Sequence, residues 1–79
     1  MATQAVQALE KAIRAFGGTW DTQSSVTALR DAGLGHGDQR AQEKRARQAL
    51  RDLAAARVVV KVDPDSATYR LSNELRDHA

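Results

Sequence analysis

Two neighbouring groups of residues are the only ones in this chain whose types and spacing suggest chemistry. Gly33, Gly35 and Gly37 stand at alternate positions and lead straight into a helical pattern rich in arginine. A glycine-rich loop that opens a helix can cradle a phosphate, because free backbone N–H groups and the helix dipole both point at the anion. A nucleotide fingerprint is nevertheless not met. Gly35-His36-Gly37 has Arg40 where a third glycine belongs, no valine-rich strand precedes it, and Gly-Lys-Ser/Thr is absent. The glycines instead read as a turn that frees Asp38 to cap the following helix.

The second group is a row of cations. Advancing about 100° per residue from Arg40 places Lys44 at about 40°, Arg47 at about −20° and Arg51 at about 20°, so the four share one stripe roughly 60° wide. Ala46, Ala49, Leu50 and Leu53 gather on the opposite side, which marks that side as core. Gln39, Gln48 and Arg45 flank the stripe, and Glu43 is the nearest acid available to temper it. Such a ladder suits DNA, since arginine can grip guanine O6 and N7 and glutamine can pair with adenine in the major groove. The same ladder also fits a solvated face in a chain rich in alanine and arginine throughout, as a GC-rich bacterial genome produces. Both readings stand at this point.

Enzymatic chemistry has no evident foothold. There is no cysteine, and His36 and His78 sit in a glycine turn and near the end of the chain, far from metal-ligand spacing. Asp63 and Asp65 pair only in a solvated turn, so neither general acid–base catalysis nor a cofactor or metal is expected. No small-molecule substrate is expected either. The 79 residues allow one small domain. No apolar run is long enough for a membrane span or a signal-peptide core, and a cytoplasmic protein is expected. The net charge is +2, but six Lys/Arg against three acids between His36 and Arg57 make that segment +3 and leave the remainder near −1.

The elements that must position these residues follow from periodicity. Val6, Leu9, Ile13 and Phe16, with Ala2, Ala5 and Ala12 beside them, predict a first helix over about 3–16 with one apolar stripe, stopped by Gly17-Gly18. Trp20 follows in a short extended stretch and reads as a core plug. Asp21 or Thr22 caps a second helix over about 22–32, marked by Val26 and Leu29, after which Leu34 turns back to the core. The third helix runs over about 38–56. The period then falls to two. Val58 to Val62 and Thr68 to Leu71 read as a β-hairpin over about 58–71, turned at Asp63-Pro64-Asp65-Ser66, with a short tail over 72–79.

This succession resembles a winged helix-turn-helix domain, an α+β fold with a three-helix core and a hairpin wing. The resemblance spans roughly residues 3–72, and ARQALRDLAAARVVVKVDPDSATYRLS (46–72) is its most specific part. It implies a sequence-selective module for double-stranded DNA whose third helix enters the major groove. Carried over, Gln39, Arg40, Lys44 and Arg47 would face bases or nearby phosphates, with Gln48 flanking and Arg51 on the backbone. Thr22, Ser24 and Ser25 would meet a phosphate through hydroxyl and backbone N–H, and Lys61 and Arg70 would flank the wing. A transcriptional regulator, or the DNA-targeting part of a replication, partition or DNA-transfer protein, would carry such a module. The chain departs from the family at Arg57, where glycine is common, and at the acidic wing tip, where phosphate would be repelled. A rival expectation is a winged helix that binds protein or dimerises, using the valine-rich hairpin edge. RNA is a weaker candidate, for want of exposed aromatics.

Overall fold

The computed structural model describes residues 3–66 and 68–72. Ala2, His78 and all of the expected tail except Ser72 lie outside the described residues. The described residues form an α+β arrangement of three helices and a small antiparallel sheet, in the order α1 (Gln4–Phe16), β1 (Thr19–Trp20), α2 (Thr22–Asp31), α3 (Gln39–Ala55), β2 (Val59–Lys61) and β3 (Tyr69–Leu71).

Each helix begins on a side-chain cap. The Thr3 hydroxyl accepts from Val6 N–H at 3.2 Å, and the Asp38 carboxylate accepts from Ala41 N–H at 2.8 Å. Asp21 and Ser24 form a reciprocal capping box, in which the Asp21 carboxylate accepts from Ser24 N–H at 2.8 Å and Asp21 N–H donates to the Ser24 hydroxyl at 3.0 Å.

The ends of α2 and α3 share one design. After α2, Gly33 N–H donates to Arg30 C=O at 3.0 Å and Leu34 N–H to Leu29 C=O at 2.8 Å. After α3, Arg57 N–H donates to Ala54 C=O at 3.0 Å and Val58 N–H to Leu53 C=O at 2.9 Å. Both are Schellman motifs, whose pivot residue takes the left-handed conformation. At the first the pivot is Gly33, φ 81°; at the second it is Arg57, φ 63°. An arginine thus takes, at the second motif, the conformation that glycine takes at the first.

The sheet has the order β1-β3-β2. Trp20 lies opposite Tyr69, which lies opposite Lys61, while Thr19, Arg70 and Val60 form the adjacent row. Residues directly opposite share a face, and successive residues alternate. The first row, with Val59 and Leu71, therefore faces the helices, and the second faces away. Trp20, Val59, Tyr69 and Leu71 close a core with Leu9 and Ile13 of α1, Val26 and Leu29 of α2, and Ala46, Ala49, Leu50 and Leu53 of α3. Trp20 is the plug expected of it, its indole N–H donating to Gly17 C=O at 2.9 Å. Leu34 packs against the same core.

Phe16 departs from expectation. It continues the spacing of Val6, Leu9 and Ile13, yet it is 82% exposed. It is the last residue of α1, and α2 and its C-cap present Ala28 and Ala32 beside it, side chains too short to cover a phenyl ring.

Candidate nucleic-acid interface

The glycine turn is fixed by side chains from the helices on either side of it. Gln42, on the apolar side of α3 and buried, donates to Gly37 C=O at 2.8 Å and accepts from Arg30 Nε at 2.8 Å. Arg45 donates through one Nη to both Leu34 C=O (2.8 Å) and His36 C=O (3.0 Å). Gly37 sits at φ 93°, and Gly35 is needed for space: a Cβ there would lie 2.5 Å from Arg30 Cγ. The turn is therefore a braced corner that sets where α3 begins.

On that fixed helix, Arg40, Lys44, Arg47 and Arg51 are all exposed along one side. Among the described residues, Arg40, Lys44 and Arg51 make no ion pair or side-chain hydrogen bond, and Arg47 meets only Glu43, at 4.0 Å. An exposed contact at that distance contributes little. The ridge thus keeps nearly its full charge. Strand alternation carries Lys61 to its far end, where Arg47, Leu50, Arg51, Lys61 and Tyr69 line a hollow of about 240 Å³ between α3 and the sheet.

The other expected contact residues are placed differently. Gln39 is at the start of α3, but its amide bridges Glu43 (2.8 Å, as donor) and Arg30 (3.4 Å, as acceptor). Gln48 donates to Asp52 at 2.9 Å and borders a groove against Thr3, Ala5 and Val6 of the first helix region, away from the ridge. Arg70 belongs to the outward row of the sheet and does not join Lys61.

At α2 the expectation of three phosphate-binding residues needs correcting. Ser25 is fully buried and its hydroxyl donates to Asp21 C=O at 2.7 Å, so it presents nothing to a ligand. Ser24 is committed to the capping box. Thr22, half-buried, remains at the surface. The helix terminus already holds an anion of its own: Ser24 N–H, the strongest of several hydrogen bonds, keeps the Asp21 carboxyl below the usual aspartate range.

The hairpin tip is acidic. Asp63 accepts Asp65 N–H through its side chain at 2.9 Å and Ser66 N–H through its carbonyl at 3.2 Å, leaving both carboxylates exposed at the turn. Among the described residues no group of His, Asp and Glu could hold a metal ion, and no helix is long and apolar enough to cross a membrane.

Sequence reasoning missed Tyr69 as part of the basic hollow, and Arg30, Gln42 and Arg45 as the braces of the turn. Gln42 carried a usable signal. It lies about 200° from Arg40, in the middle of the apolar side, where a buried amide must find partners. No family model matches the chain, and no curated protein or solved structure matches it significantly.

Proposed function

We propose that the chain is a winged-helix module that binds double-stranded DNA, with α3 in the major groove. The observation that carries this reading is the α3 ridge: four exposed cations on a helix whose start is held by hydrogen bonds centred on the buried Gln42, extended by Lys61 of the sheet. The order of elements and the three-stranded sheet are compatible with the winged-helix arrangement. Arg40, Lys44 and Arg47, on the N-terminal part of the helix, are the candidates for base edges and the phosphates beside them. Arg51 and Lys61 serve the backbone further along. Gln39 would read a base only after leaving Glu43. The acidic tip keeps the hairpin turn out of the minor groove, because each carboxylate would face phosphate. Sequence selectivity and a role in transcriptional control, or in targeting a larger DNA-processing protein, belong to this same proposal.

A second reading, a protein-binding module, is favoured by one observation: β2 is an edge strand, and Val62 beyond it is 47% exposed. Fluorescence anisotropy on a mixed-sequence duplex across a salt series separates the two. DNA binding by the ridge predicts that Lys44→Ala/Arg47→Ala weakens affinity and lowers the slope of log K against log salt by up to about 1.8, at about 0.9 per lost phosphate contact. No binding at low salt, or a double variant that matches wild type, rejects it in favour of the edge strand.

A further inference from the structure

We propose that two copies of the chain associate through the α1–α2 face, each burying its Phe16 against the other. Phe16 is the most exposed large apolar side chain among the described residues. It stands beside two shallow hollows, one between the helices, of about 400 Å³, floored by Ala12, Ala15, Ala28 and Ala32, and one of about 330 Å³ reaching Trp20 and Thr27. Knob and socket therefore occupy the same patch. Such a patch supplies both halves of a two-fold contact, in which the same residues meet one another reciprocally.

The charges obey the same symmetry. The groove between the helices has one cation on its α1 wall, Lys11, and one anion on its α2 wall, Asp31. Both are exposed and neither has a partner within the chain among the described residues. The neighbouring Arg14 is already held by Glu10 at 2.9 Å. A two-fold rotation that seats each Phe16 on the opposite alanine floor brings each Lys11 toward the other copy's Asp31. Alanine on both walls lets the helices approach closely. No α3 residue lines either hollow, so this association leaves the cation ridge uncovered and does not depend on what the ridge binds.

Sedimentation equilibrium at low salt, from micromolar to millimolar protein, tests it. Wild type is expected to pass from monomer to dimer within that range. Phe16→Ser, which touches an exposed side chain and whose folding is checked by circular dichroism, should raise the dissociation constant by about tenfold or more. Lys11→Glu should weaken association severalfold, and Lys11→Glu/Asp31→Lys should restore it, because the reversal re-forms each cross-copy pair. A wild-type chain that stays monomeric at millimolar concentration overturns the proposal. So does a Phe16→Ser chain that dimerises as wild type does, or a double reversal as weak as the single one.

Discussion

Replacing Arg57 by glycine is expected to stabilise the protein. Arg57 pivots the Schellman motif after α3 at φ 63°, where an L side chain crowds its own carbonyl at a cost of about 1–2 kcal/mol. Glycine removes that strain but gains freedom in the unfolded chain, which offsets about 0.5–1 kcal/mol. The net gain is between about 0 and 1.5 kcal/mol, centred on about 0.75 kcal/mol, which raises the melting temperature by about 3–6 °C at the centre of that range. The side chain is exposed, and the bond that ties this pivot to the end of the sheet, from the Ser72 hydroxyl to Arg57 C=O at 2.7 Å, uses backbone that the substitution keeps. Thermal and urea unfolding followed by circular dichroism would measure the effect, with two comparisons. Arg57→Ala keeps the demand on φ and should match wild type. Gly33→Ala places a Cβ on the equivalent pivot of α2, where nothing lies within 4 Å of it, so its expected loss of about 1 kcal/mol is backbone strain less the unfolded-chain freedom it removes, with no clash. If Arg57→Ala gains as much as Arg57→Gly, removal of the guanidinium is responsible and the strain argument fails.

Gly35→Ala should destabilise by about 1–3 kcal/mol, because its Cβ displaces the Arg30 stem and with it the bond to Gln42; urea unfolding that leaves the midpoint unchanged would show the corner to be loose. For Asp21 the folded carboxyl is held below its ordinary range, so its ionised form supports folding above about pH 4, and that support is lost as pH falls through the lowered value. Asp21→Asn keeps a cap but not the charge, so its stability deficit at neutral pH should vanish in acid. A deficit independent of pH would contradict the charge argument. Neutralising the hairpin tip with Asp63→Asn/Asp65→Asn should leave the melting temperature within about 2 °C and strengthen duplex binding severalfold at low salt. Unchanged affinity in anisotropy titrations would mean that the tip lies beyond the reach of phosphate.

Much of this arrangement was legible in the order of residues. Asp21 or Thr22 announced the start of α2, with Asp21 proving to be the cap, Asp38 announced that of α3, Trp20 announced a core plug, and the spacing of Arg40, Lys44, Arg47 and Arg51 survives unchanged as an exposed ridge. What sequence left open depends on partners far along the chain. Phe16 has core spacing, but its burial required a large residue across from it, and the chain offers alanines. Ser25 looked like a surface hydroxyl, yet a serine that can donate to the carbonyl of Asp21, four residues earlier, satisfies itself and can be packed away. Lys61 and Arg70 both looked like flanks of one wing. Only the pairing register, with Lys61 opposite Tyr69 and Arg70 opposite Val60, sends them to opposite faces.

The central strand of the described sheet follows both of its neighbours in the sequence, and this bears on how the protein is made. A ribosome delivers β1 early and β2 late, but neither has a neighbour until Tyr69–Leu71 arrives to lie between them. The β2–β3 pairing closes across a short turn, whereas β1 must meet β3 across most of the chain, and pairings between distant segments form later than local ones. A nascent chain ending before β3 would leave Trp20 and Val59 without the strand that pairs with theirs. Docking of β1 onto the β2–β3 hairpin is then the late step, and the fluorescence of the one tryptophan, which lies on β1, should report it.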